Sequence, residues 1–142
     1  MKKILICLDG SEMGPVLVRE ALKIAGPRKS HLTLLYVSPN FPIPWGGKSI
    51  PETHETINQQ IFSPVVQLIE KEKVPYQAVI REGHPAMEII AEAEEKKVSV
   101  IVIGHRGVSQ LERFLLGSVA TQVVSHAPCS VLVVREGTTP LL

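Results

Sequence analysis

The run Val98 to Ile103, apolar except for Ser99, stops at Gly104-His105-Arg106-Gly107 and leads on to Gly117-Ser118. Short, nearly all-apolar runs of this kind are strands buried on both faces, which points to a parallel sheet covered by helices. Val119 to His126 then reads as a helix. Glycines where a buried strand gives way to a helix N-terminus let the backbone approach a ligand closely. The unpaired N–H groups and the helix dipole then face negative charge. Ser118 adds a hydroxyl at the helix start, as an N-cap or as a phosphate donor. The same glycines could equally do no more than shape a turn.

The rest of the chain repeats the strand–helix alternation. Ile4 to Leu8, His31 to Val37, Tyr76 to Arg81 and Ser130 to Val134 read as the other strands. Val16 to Ala25 is expected to be a helix ended by Gly26-Pro27. A second is expected from Pro51 to Lys73, kinked or split at Pro64. A third runs from Ala86 to Lys97, with Met87, Ile90, Ala91 and Ala93 as its expected buried face. The loop from Pro39 to Gly47 is rich in proline and cannot be a regular element. This pattern predicts one α/β domain over residues 1–142: a doubly wound, Rossmann-like, five-stranded parallel sheet with helices on both faces. Ligands of such sheets sit at the carboxyl ends of the strands, where strand order reverses. If the first and fourth strands are neighbours, Asp9 and the glycine stretch share one crevice.

Composition narrows the partners. With a formal charge of +1 and no long basic run, nucleic acid is not favoured. No apolar stretch is long enough to span a bilayer, and Met1-Lys2-Lys3 opens directly into a strand, so a cytoplasmic protein with no membrane partner is expected. Cys7 and Cys129 belong to no metal-ligand pattern and read as reduced, packed thiols. Gly47-Lys48-Ser49 imitates the end of a P-loop, but Pro42 stands where that motif needs glycine. His54-Glu55-Thr56-Ile57-Asn58 fails as a zinc-protease motif, because Asn58 replaces the second histidine. His105 is read as an exposed loop residue rather than a phosphate contact.

Gly104-x2-Gly107-x9-Gly117-Ser118 resembles the nucleotide-binding signature of the universal stress protein family, in its ATP-binding branch. The likeness extends to Ile4-Leu5-Ile6-Cys7-Leu8-Asp9-Gly10-Ser11, to Leu35-Tyr36-Val37 and to the closing segment from His126 to Val134. The resemblance implies that Asp9 faces the nucleoside, near the ribose or a metal, and that Val37 meets adenine through its backbone. Ile103 and Gly104 would line the ribose side, while Gly107, Gly117, Ser118 and Val119 would hold the phosphates. ATP is the implied ligand. Asp9 beside a triphosphate would be repulsive without a cation, so Mg²⁺ or Mn²⁺ is expected, held mainly through the phosphates. The resemblance also implies a homodimer through the fifth strand, Val131, Leu132, Val133 and Val134. The expected role is an ATP-binding regulatory protein of the stress response, whose nucleotide occupancy tunes its conformation or its binding of an unidentified partner protein. Two alternatives stay open: a slow ATP hydrolase, at most a weak enzyme, and a dimeric scaffold that binds no nucleotide.

Overall fold

A computed structural model describes residues 1–26, 29–39, 53–105 and 116–135. The strands are β1 (Lys2–Leu8), β2 (Ser30–Ser38), β3 (Tyr76–Glu82), β4 (Val100–Gly104) and β5 (Ser130–Val134). All pair in parallel, in the order β3-β2-β1-β4-β5. The helices are α1 (Gly14–Ala25), α2 (His54–Ile57), α3 (Ser63–Lys71), α4 (Pro85–Lys96) and α5 (Ser118–His126). The doubly wound five-stranded fold expected from the alternation is the one observed. Among the described residues no helix is long and apolar enough to cross a membrane.

β1 is the axis of the molecule. Ile4, Leu5, Ile6, Cys7 and Leu8 are all buried, as a central strand covered on both faces requires. Alternate side chains go to opposite sides. Ile4, Ile6 and Leu8 pack with Leu17, Val18 and Ala21 of α1 and Val65 and Ile69 of α3. Leu5 and Cys7 pack with Ala86, Ile89 and Ala93 of α4 and Ala120 and Val123 of α5.

The long helix expected up to Lys73 is divided, and the division has a local cause. Pro64 has no N–H, and its ring would clash with the carbonyl four residues back. Residues Asn58–Phe62 form a wider π-helical turn just before it, with the Ser63 N–H bonded to the Asn58 carbonyl. That turn joins α2 to α3 while Phe62 stays buried.

The expected inner face of α4 needs correction. Met87 is 66% exposed, and Ile90 and Ala91 are only partly buried. Ala86, Ile89 and Ala93 face the sheet, and Glu92 is buried with them. Glu92 is 2% exposed because Arg81 of β3 reaches it, Nη1 to Oε1 at 2.8 Å, and Lys96 Nζ lies 2.7 Å from Oε2. Arg81 also meets Glu88 at 2.9 Å and Glu95 at 3.1 Å. Burial pushes the Glu92 carboxyl up, but the contacts with Lys96 and Arg81 outweigh it and hold the group below the usual carboxylate range.

Candidate functional site: the crevice between β1 and β4

The strand order places β1 beside both β2 and β4, so the chain leaves the sheet in opposite directions after β1 and after β4. Ile4, Leu5 and Ile6 pair with Val100, Ile101 and Val102. This is the adjacency that brings Asp9 and the glycine stretch together. Helices that follow parallel strands all begin at the carboxyl edge, so the N-termini of α1, α4 and α5 face the same rim.

A cavity of about 530 Å³ opens at this rim. Asp9, Val37, Ile103, Gly104, Gly117, Ser118 and Val119 all line it. Gly107, the remaining expected site residue, lies outside the described residues, as do Arg106 and most of the Pro39–Gly47 loop. The lining also includes Cys7, Leu8, Met13, Leu17, Leu35, Tyr36, Pro39, Pro85, Ile89 and Ala120, to which the resemblance assigns no ligand contact. Strand register could have found Tyr36, since it pairs with Leu8, one residue before Asp9.

Asp9 is exposed and is held by its own turn. Its Oδ1 accepts the Ser11 N–H at 2.9 Å, and the Ser11 Oγ accepts the Met13 N–H at 3.3 Å. The turn needs Gly10, whose φ is +84°. The contact takes one carboxylate oxygen and leaves the residue on the cavity wall.

The α5 end of the cavity is built from backbone. Gly117 is the N-cap and Ser118 the first helical residue, with no side-chain cap present. Ser118 therefore does not cap the helix; it lies on the cavity wall. Gly117 has φ −59° and ψ 156°, a conformation open to any residue. Glycine is not needed there for its backbone freedom; what it contributes is the missing side chain. The N–H groups of Ser118, Val119 and Ala120 have no acceptor inside the helix, and all three residues line the cavity. Such a terminus favours an anion.

His105 is not the exposed residue expected from its place in a loop. It is 8% exposed, and its peptide groups are tied on both sides. Its N–H donates to the Val134 carbonyl at 2.8 Å, and its carbonyl accepts the Gly117 N–H at 2.9 Å.

Both cysteines are free thiols, as the sequence suggested. Burial pushes the Cys7 thiol far up, helped by the nearby Asp9 charge and by Cys129. Burial also raises Cys129, with a backbone contact from Ile101 opposing it. Among the described residues no group of three or more His, Cys, Asp or Glu side chains could hold a metal ion.

The fold and the crevice define a doubly wound α/β protein with an anion-receptive, apolar-walled cleft at its switch point. The sequence profile of the Universal stress protein family matches residues 1–135, and the chain belongs to that family. It is similar to Universal stress protein MJ0531 of Methanocaldococcus jannaschii, with 37% identity over 140 residues, covering 95% of this chain and 82% of that protein. Its fold is similar to the solved structure of the protein MJ0577, at a TM-score of 0.80 and 27% identity, covering 97% of this chain and 98% of that one. A universal stress protein from Archaeoglobus fulgidus, solved in complex with dAMP, shares the fold at a TM-score of 0.67 and 24% identity, covering 94% and 97% of the two chains.

Proposed function

We propose that the chain binds an adenine nucleotide in the β1–β4 crevice, ATP with Mg²⁺ or Mn²⁺, and that occupancy tunes its conformation or its affinity for a partner protein. One observation carries this reading. Every residue the signature implied, apart from Gly107, lines a single cavity beside a helix N-terminus. The lining mixes the two kinds of surface that a nucleotide needs: apolar side chains for a base, among them Leu35, Val37, Pro85 and Ile89, and a helix start for phosphates, at Gly117, Ser118 and Val119. The Archaeoglobus fulgidus protein in complex with dAMP supports an adenine nucleotide as the ligand class.

The same reading includes a homodimer through β5. Among the described residues β5 pairs only with β4, and no described strand pairs with its other edge. Val131, Leu132 and Val133 are only partly buried there, and an apolar open edge invites pairing with a second copy. Calorimetric titration of nucleotide-stripped protein with ATP and magnesium tests the proposal. Saturable binding of one ATP per chain is expected. Absence of binding would refute it and leave the dimeric scaffold as the better reading.

A further inference from the structure

We infer that His105 is a positioning residue that links the anion-facing end of α5 to the β4-paired side of β5, whose other edge is the proposed dimer seam, so that nucleotide binding and dimerisation strengthen one another. The inference rests on the function proposed above. Its basis is a hydrogen-bonded path that crosses the two sites in a single residue. The Gly117 N–H donates to the His105 carbonyl at 2.9 Å, and the His105 N–H donates to the Val134 carbonyl at 2.8 Å. On the far side, the Gly117 carbonyl accepts both the N–H and the hydroxyl of Thr121, each at 2.9 Å. Gly117 is therefore held from both ends, by α5 and by His105. Val134 is the last residue of β5 and is paired with Gly104, which also lines the cavity. With His105 8% exposed, the residue has little room to move independently of what it holds.

The sign of the link follows from ordering. An anion bound at Ser118 and Val119 fixes the start of α5, and with it Gly117, His105 and the end of β5. A second copy that pairs along β5 then meets a strand already ordered, and loses less conformational freedom on pairing. Thermodynamic reciprocity requires the dimer to bind nucleotide more tightly than the monomer; with one ATP per chain, the gain at each site is the square root of the gain in the dimer constant.

The test measures the dimer dissociation constant of the full chain by sedimentation velocity, with and without saturating Mg²⁺–ATP. The dimer should tighten with nucleotide by about fivefold or more, the lower end of ordinary coupling between sites. His105→Pro removes the N–H that Val134 accepts. This variant should still bind Mg²⁺–ATP, yet its dimer constant should no longer respond to it. A wild-type protein that dimerises and binds Mg²⁺–ATP with neither event affecting the other would overturn the link and leave the proposed function standing. Absence of a dimer, or of nucleotide binding, would overturn that function and the link with it. A His105→Pro protein that keeps the full wild-type response would overturn the role of His105. If that variant does not fold, hydrogen exchange of the His105 amide in the wild type decides. It should slow when Mg²⁺–ATP is added at concentrations where the protein is monomeric, and an unchanged rate would overturn the path.

Discussion

Replacing Gly117 with valine separates the two reasons a glycine can stand at a helix start. At φ −59° and ψ 156° the substitution introduces no backbone strain, and the Gly117 N–H keeps its bond to His105. Valine is a poorer N-cap than glycine, at a cost of about 1 kcal/mol. Loss of glycine's freedom in the unfolded chain offsets about 0.4–1 kcal/mol of that. The net change is within about 1 kcal/mol, or a shift in Tm of about 4 °C for a chain of this size. Binding should respond very differently. The side chain would project beside the N–H groups of Ser118 and Val119 and keep a phosphate from reaching both. Hydrogen bonds to a charged group contribute about 1.5–3 kcal/mol each, so loss of two weakens binding by about 3 kcal/mol or more. That is more than about a hundredfold in Kd. Calorimetry with Mg²⁺–ATP reads the affinity, and a circular-dichroism melt of the same preparation reads the fold. An unchanged affinity would show that no phosphate sits at this terminus. A fall in Tm far beyond a few degrees would show that Gly117 is there for the fold.

Asp9→Asn should reduce the dependence of ATP affinity on magnesium. The charge it removes should improve metal-free ATP binding by about fivefold, the size of a screened interaction between unit charges a few ångströms apart. Calorimetry in the presence of a chelator checks this, and no change would remove Asp9 from the phosphate end of the site. Glu92→Gln should destabilise the protein at neutral pH by about 1–3 kcal/mol, because it withdraws a buried charge from Arg81 and Lys96. The Glu92 carboxyl is held below its ordinary value of 4.5, so its contribution is full above that pH and is lost as pH falls through the depressed folded value. Melts of the variant and wild type should therefore converge in acid, and a gap that stays constant would refute the assignment. Cys7 should react with a thiol reagent at pH 8 at least about tenfold more slowly than Cys129, since burial suppresses its thiolate. Mg²⁺–ATP should slow it further, and peptide mapping of the labelled sites would reveal a Cys7 rate indifferent to nucleotide.

The sheet was readable because its cause is local. Ile4 to Leu8 and Val98 to Ile103 are too apolar to tolerate water on either face, and only helices on both sides of a parallel sheet meet that demand. The division near Pro64 was readable for the same reason, since the missing N–H and the ring clash belong to that residue alone. The site was readable in outline once β1 and β4 were placed side by side, because Asp9 and Gly104 then had to share an edge. The inner face of α4 was not. Helical spacing offers Met87, Ile90 and Ala91 as readily as Ala86 and Ile89, and nothing within α4 shows that a charged residue belongs on the buried side.

Glu92 and His105 show why such residues escape a reading along the chain. A carboxylate is buried when its partners follow it inside. One partner, Lys96, is four residues on, but the other, Arg81, comes from β3 across the β3–α4 turn. His105 is buried, and the residues bonded to its peptide groups, Gly117 and Val134, come from later in the chain. Both cases have the same physical form: a polar residue takes its environment from elements that only the completed sheet brings near. The consequence for the crevice is that its α5 end is built from backbone, the N–H groups at the start of the helix. Side-chain identity leaves little trace of them. The glycines beside them are what the sequence displays, and the bonds that hold them in place are what the fold adds.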